Sequence, residues 1–219
     1  AAELNLLDGL TEVIQGKSEG TNFTGSLLIG HSTTGTLDAA TYNTGVGLGT
    51  LDAVTTGDNN VSVGYNSLTT NTTGLNNTAV GTNSLKLNLD GHSNAAVGAN
   101  SLAANTEGLY NSAIGLETLL ANTTGDNNTA VGYQALLTNI SSNSNTAVGW
   151  RSLKLTTGAN NIGIGYTAGD NITSGAGNVI IGAIDAGSAT GNTQLIIADG
   201  TDGSVKWIDG DSSGNVTFP

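Results

Sequence analysis

Along most of the chain, short apolar triplets such as Thr78-Ala79-Val80 alternate with polar runs rich in Asn, Thr and Gly, and the alternation returns every seventeen residues. The same phrase recurs as Asn77-Thr78-Ala79-Val80-Gly81, Asn111-Ser112-Ala113-Ile114-Gly115, Asn128-Thr129-Ala130-Val131-Gly132 and Asn145-Thr146-Ala147-Val148-Gly149. A fixed period of this kind marks one unit that buries its apolar side only by stacking on its neighbours. The glycine closing the phrase runs from Gly30 through Gly47, Gly64, Gly81, Gly98, Gly115, Gly132 and Gly149, then after one shortened step to Gly165 and Gly182. The predicted fold class is all-β: a parallel β-solenoid, or β-roll, of about ten coils.

Within one repeat, Thr78-Ala79-Val80 predicts a short strand whose β-branched residue points into the coil, and Gly81 a corner where no Cβ fits. A second run, Asn83-Ser84-Leu85, with counterparts ending at Leu68, Leu102, Leu119, Leu136 and Leu153, supplies a second apolar rung. Gly57, Gly74, Gly91, Gly108 and Gly125 form another ladder, so each coil has two tight corners. Asn60, Asn77, Asn94, Asn111, Asn128 and Asn145 predict a structural ladder, because stacked amides satisfy one another at the strand spacing. At ~4.8 Å per coil the array makes a rod roughly 48 Å long.

The array is expected to span residues 22–191. Residues 1–21 predict a short helical neck, with Leu4, Leu7 and Ile14 in a/d-like spacing, too short to stand without partners. In 192–219 the apolar pairs Leu195 and Ile197, Val205 and Trp207, and Val216 and Phe218 are separated by Asp-Gly or Ser-Gly turns, which predicts a β meander that closes the array or leads to a further module. The interior is thin, with 2 Phe and 2 Trp in the whole chain. The small residues Ala79, Ala96, Ala113, Ala130 and Ala147 are therefore expected to face outward and pack against other copies, most economically as a homotrimer.

Composition narrows function mainly by exclusion. The 33 glycines, with one proline, lack the every-third spacing of collagen. Seventeen acidic against 5 basic side chains give a charge of −12, which repels nucleic-acid phosphates and anionic membranes. Cysteine is absent, so disulfides and thiolate metal sites are excluded. No stretch approaches the ~20 apolar residues of a spanning helix, so membrane insertion is not expected. A chain opening on Ala1 rather than Met is expected to be a segment of a longer polypeptide.

Catalytic constellations are missing from the sequence. His31 and His92 fall at different phases of the repeat, without ligand-like neighbours, and read as turn residues. Gly45-Val46-Gly47 and Gly163-Ile164-Gly165 lack the Lys-Ser/Thr of a phosphate loop. Asp58, Asp90, Glu107, Glu117, Asp126 and Asp170 are scattered rather than paired for glycoside hydrolysis, so no enzyme activity and no cofactor are expected. Asp199, Asp202, Asp209 and Asp211 lie in a glycine-rich stretch, but their spacing matches no calcium loop, and Asp-Gly is a hairpin signal; no metal site is expected. One column carries a recognition signal: Tyr65, Tyr133, Trp150 and Tyr166 each follow a phased glycine, so their rings are expected on one face as a candidate receptor or glycan contact. Thr82, Ala99 and Leu116 at the same position favour the alternative that the rings cover a rung edge or stiffen an interface.

The Asn-Thr-Ala-Val-Gly and Asn-Ser-Ala-Ile-Gly phrases resemble the head repeats of trimeric autotransporter adhesins, and more closely the repeats of tail-fibre and appendage proteins of marine bacteriophages. The resemblance covers about residues 43–182, and Ala2-Glu3-Leu4-Asn5-Leu6-Leu7-Asp8-Gly9 is similar to a linker phrase of marine phage fibres. The period of seventeen is longer than that usual in the adhesin heads, which implies longer loops. The resemblance implies a trimeric β-roll acting as a structural and adhesive rod of a virion, bound to other fibre proteins and contacting a host-surface glycan or protein. The alternatives are the head of a bacterial surface adhesin and an ice-binding solenoid; for the latter the phased run Thr78, Ala95, Ser112, Thr129, Thr146 is too irregular.

Overall fold

The computed structural model describes residues 27–29, 39–211 and 213–218. The expected neck over 1–21, together with Gly30 and His31, lies outside the described residues. Among the described residues thirteen strands form one sheet in chain order. They are β1 (Leu27–Ile29), β2 (Thr44–Val46), β3 (Val61–Val63), β4 (Thr78–Val80), β5 (Ala95–Val97), β6 (Ser112–Ile114) and β7 (Thr129–Val131). The remainder are β8 (Thr146–Val148), β9 (Ile162–Ile164), β10 (Val179–Ile181), β11 (Leu195–Ala198), β12 (Lys206–Gly210) and β13 (Val216–Thr217).

From β1 to β11 every pairing is parallel and in register, as where Thr78, Ala79 and Val80 lie against Ala95, Ala96 and Val97. Each phrase of the sequence therefore lies directly over its own repeat, and β2 to β11 make nine complete turns of a parallel β-solenoid. Two turns are one residue short, Thr146 pairing with Ile162 and Val179 with Leu195. β11 closes the coil against β10 and also pairs antiparallel with β12, which pairs antiparallel with β13. The C-terminal meander thus takes the last rung of the array as its first strand.

Each coil has one strand, and the rest of its circuit is turns. The second run is no strand: Asn83 and Leu85 have φ of 56° and 48°. Leu68, Leu102, Leu119, Leu136 and Leu153 repeat this left-handed conformation with φ between 48° and 53°. It costs about 1–2 kcal/mol for a residue with a Cβ. Full burial of a leucine side chain contributes about 1.5–3 kcal/mol, and all six leucines are completely buried, so the strain is offset at each coil. Gly81 turns the corner at φ 136°, where an added Cβ would lie 2.5 Å from the carbonyl oxygen of Gly98 in the next coil.

The sidedness of the strands is opposite to the expectation. Ala79, Ala96, Ala113, Ala130 and Ala147 are fully buried, whereas Val97, Ile114 and Val148 are among the exposed aliphatics. The leucine column fills the interior of a coil only seventeen residues around, and the strand position opposite it is taken by alanine from β4 to β8; where Gly169 replaces the leucine, Ile180 is buried there instead. Because side chains alternate along a strand, burying the central alanine puts both flanking residues outside. Serines of the second run support this arrangement, with Ser84 Oγ donating to Ala96 O at 3.0 Å and Ser101 Oγ to Ala113 O at 3.0 Å.

Two substitutions test this packing by urea denaturation. Leu102→Ala is expected to destabilise by about 2–5 kcal/mol through the cavity it leaves. Ala113→Leu is expected to cost about 1–3 kcal/mol by overfilling; a neutral Ala113→Leu would place alanine on the outside after all.

Candidate functional site

Polar groups fill one corner of the coil interior. Asn60, Asn77, Asn94, Asn111, Asn128 and Asn145 are all buried. Their amide oxygens accept the backbone N–H of the next ladder residue, as from Asn77 to Asn60 Oδ1 at 2.9 Å and from Asn94 to Asn77 Oδ1 at 2.9 Å. Except at Asn145, their Nδ2 groups donate to the carbonyl fourteen residues on, Asn60 to Gly74 O and Asn77 to Gly91 O, each at 2.8 Å. Amide-to-amide stacking, expected for this ladder, is instead the rule in a second one that the sequence reading missed. Asn88 Nδ2 donates to Asn71 Oδ1 at 2.8 Å, Asn105 to Asn88 at 2.7 Å, and Asn122 to Asn105 and Asn139 to Asn122 at 2.9 Å.

In five successive coils both ladders converge on one backbone carbonyl, that of Gly74, Gly91, Gly108, Gly125 and Ser142. Gly91 O accepts from Asn77 Nδ2 at 2.8 Å and Asn88 Nδ2 at 3.0 Å, and Gly125 O from Asn111 at 2.7 Å and Asn122 at 3.1 Å. The crowding explains the second glycine ladder, since a Cβ on Gly91 would come within 2.7 Å of Asn105 Nδ2 and of Gly108 O. The second ladder ends at the short turn after Gly149, while the first runs on, the Asn161 N–H donating to Asn145 Oδ1 at 2.9 Å. There Asn139 Oδ1, Asn145 Nδ2 and Thr156 Oγ1 are buried without a partner, Thr156 standing where the repeat elsewhere has asparagine.

The aromatic column lies on the outside. Trp150 and Tyr166 stack with ring centroids 4.8 Å apart and planes 6° from parallel, and Tyr133 joins Trp150 at 5.9 Å and 30°. Tyr65 occupies the same column but is separated from the stack by Thr82, Ala99 and Leu116. Arg151 lays its guanidinium 4.8 Å from the Trp150 ring centre. Asp170 lies on the rung next to Asp185, between the bonds from Gly169 N–H to Ile184 O at 2.8 Å and from Ala186 N–H to Asn171 Oδ1 at 2.9 Å. Burial, followed by the neighbouring Asp185 carboxyl and its charge, raises the Asp170 pKa above the usual carboxylate value, against the opposing pull of Arg151 and Lys154.

The remaining candidates act as turn acceptors. His92 Nδ1 accepts the Leu75 N–H at 3.0 Å, the role that Asp126 Oδ1 plays for Leu109 at 2.7 Å. Asp199 accepts from Gly203 N–H, Asp202 from Ser204 and Asp211 from Ser213 and Asn215. Among the described residues no three His, Cys, Asp or Glu side chains gather as a metal site would require. A cavity of about 480 Å³ beneath the C-terminal hairpin is lined by Gly203, Ser204, Val205, Lys206, Asp209 and Thr217, with Lys206 and Asp209 ion-paired at 2.8 Å.

No protein-family model, curated protein or solved structure matches the chain. Function is therefore read from its own surfaces.

The ladder break supplies a test of the amide spine. Thr156→Asn gives the orphaned Asn139 Oδ1 a donor, and thermal or urea unfolding is expected to show a gain of about 1 kcal/mol. A loss of stability would mean that the break is required by the short turn.

Proposed function

We propose that this chain is a rod-forming, non-catalytic segment of a phage tail fibre or similar virion appendage, assembled as a homotrimer and holding a contact for the host surface. The observation that carries the reading is an outward stripe of β-branched aliphatics, Val46, Val63, Val80, Val97, Ile114, Val131, Val148, Ile164 and Ile181, one on each rung from β2 to β10. It runs roughly 38 Å at the strand spacing. Beside it lies a second outward column, Thr44, Val61, Thr78, Ala95, Ser112, Thr129, Thr146, Ile162 and Val179, and neither contains a charged residue in a chain of net charge −12. A continuous apolar strip of this length on a soluble molecule marks an association surface.

Cyclic packing of three copies about an axis parallel to the coil buries one stripe per chain. It also leaves all chains pointing the same way, as a fibre with an anchored end and a free end requires. The resemblance of the repeat phrases to marine phage fibres favours the virion over the alternative, a bacterial adhesin head built on the same stripe. A solitary chain would leave that face in water, and the flat Thr and Val columns would then bring the ice-binding reading forward.

Sedimentation and light scattering of the purified chain are expected to give about three times 21.7 kDa. The double substitution Val97→Lys and Ile114→Lys sets charges on the stripe without touching the interior, and is expected to dissociate the assembly. A monomeric parent chain, or a mass unaltered by the two lysines, would refute association through this face.

A further inference from the structure

The outer end of the aromatic stack combines an exposed ring with charged side chains of both signs. Rings stacked along the coil axis cover each other's faces, so Trp150, held between Tyr133 and Tyr166, offers chiefly its edge and is 37% exposed. Tyr166 ends the stack. The next rung places Ala183 at its position, too small to cover a ring, and Tyr166 is 57% exposed. Four residues on from this ring, Asp170 lies on the rung beside Asp185, between the bonds from Gly169 N–H to Ile184 O at 2.8 Å and from Ala186 N–H to Asn171 Oδ1 at 2.9 Å, and the charges of Arg151 and Lys154 act on it. Arg151 lies over the Trp150 ring, and its Nε has no hydrogen-bond partner.

An aromatic face with a carboxyl pair and a guanidinium on adjoining rungs matches a pyranose ring. The axial C–H groups of the sugar pack on the ring face, while vicinal hydroxyls donate to carboxylates and accept from guanidinium. Two acids at the site, on a chain of net charge −12, disfavour sialic acids, uronic acids and phosphorylated sugars. We propose that Tyr166, Asp170, Asp185 and Arg151 form a binding site for a neutral pyranose of a cell-surface glycan. The site rests on the attachment reading for its biological role, but its chemistry is independent of the trimer.

The test is saturation-transfer NMR on the whole chain with methyl β-D-glucopyranoside, methyl β-D-galactopyranoside and methyl α-D-mannopyranoside, with N-acetylneuraminic acid as the charged comparison and the solution mass measured on the same sample. Saturation is expected on the C–H face of at least one neutral glycoside. Tyr166→Thr is expected to weaken binding by about tenfold or more, and Asp185→Asn to weaken it as well. The native column carries threonine at Thr82, so Tyr166→Thr is compatible with the coil, and intact strand signals confirm folding in the same spectra. Tyr65→Thr, which alters an isolated ring of the same column, is expected to leave binding unchanged. Absence of transfer to every neutral glycoside, transfer that survives Tyr166→Thr, equal loss in Tyr65→Thr, or preference for N-acetylneuraminic acid would each overturn the proposal. A trimeric mass with no sugar signal removes the site and leaves the rod; a monomeric mass with a Tyr166-dependent signal removes the rod and leaves the site.

Discussion

Through five successive coils, from Gly74 to Ser142, the fold depends on one carbonyl per coil that accepts two asparagine amides. With a single leucine and a methyl-sized residue as the main apolar content of each turn, burial alone discriminates poorly between neighbouring registers. The amides do discriminate. Each buried polar group left without a partner costs about 1–3 kcal/mol, and a slip of one residue would orphan the ladders over the whole length of the displaced coils. Gly91 O shows the unit: Asn77 and Asn88 converge on it from two sides, and the crowded glycine leaves no volume for a Cβ.

Register then determines sidedness, and sidedness divides the molecule. With Ala113 inside, Ser112 and Ile114 have to face out. The apolar stripe proposed to join copies is thus a consequence of an interior too narrow for anything larger than alanine opposite Leu102 and Leu119. The aromatic column stands one residue beyond the corner glycine, at the edge of that face. It varies from Thr82 to Trp150 without altering the coil, because its side chains enter no part of the interior. A site confined to one stretch of such a column, as proposed around Tyr166, leaves the repeats on either side intact.

The period made most of this architecture legible. The recurrence at Gly81, Gly98 and Gly115 required stacked coils, and the paired strands follow it residue for residue. Three features were hidden for physical reasons. Hydrophobic size suggested that Val80 should be inside and Ala79 outside; only the volume left by the leucine column reverses them, and that volume is a tertiary property. Leucines with positive φ carry no sequence signature, because the conformation is imposed by coil closure on a residue that ordinarily avoids it. The second amide ladder did have a signal, since Asn71, Asn88, Asn105 and Asn122 each stand three residues before a glycine of the second ladder, but an asparagine near a glycine also reads as a plain turn. At the candidate site the shared column of Tyr133, Trp150 and Tyr166 was apparent from spacing, whereas the approach of Asp170 to Asp185 depends on the shortened turn after Gly182, which sets Ile184 over Gly169.

Amide hydrogen exchange by NMR tests the buried carbonyl spine most directly. The N–H groups of Asn77, Asn94, Asn111, Asn128 and Asn145 donate to side-chain oxygens of the preceding coil rather than to backbone. They are expected to exchange as slowly as the strand amides of Thr78 to Val80 and their repeats. Fast exchange at these asparagines beside protected strands would mean that the ladder faces water, and that the coils are registered by something other than the amide spine.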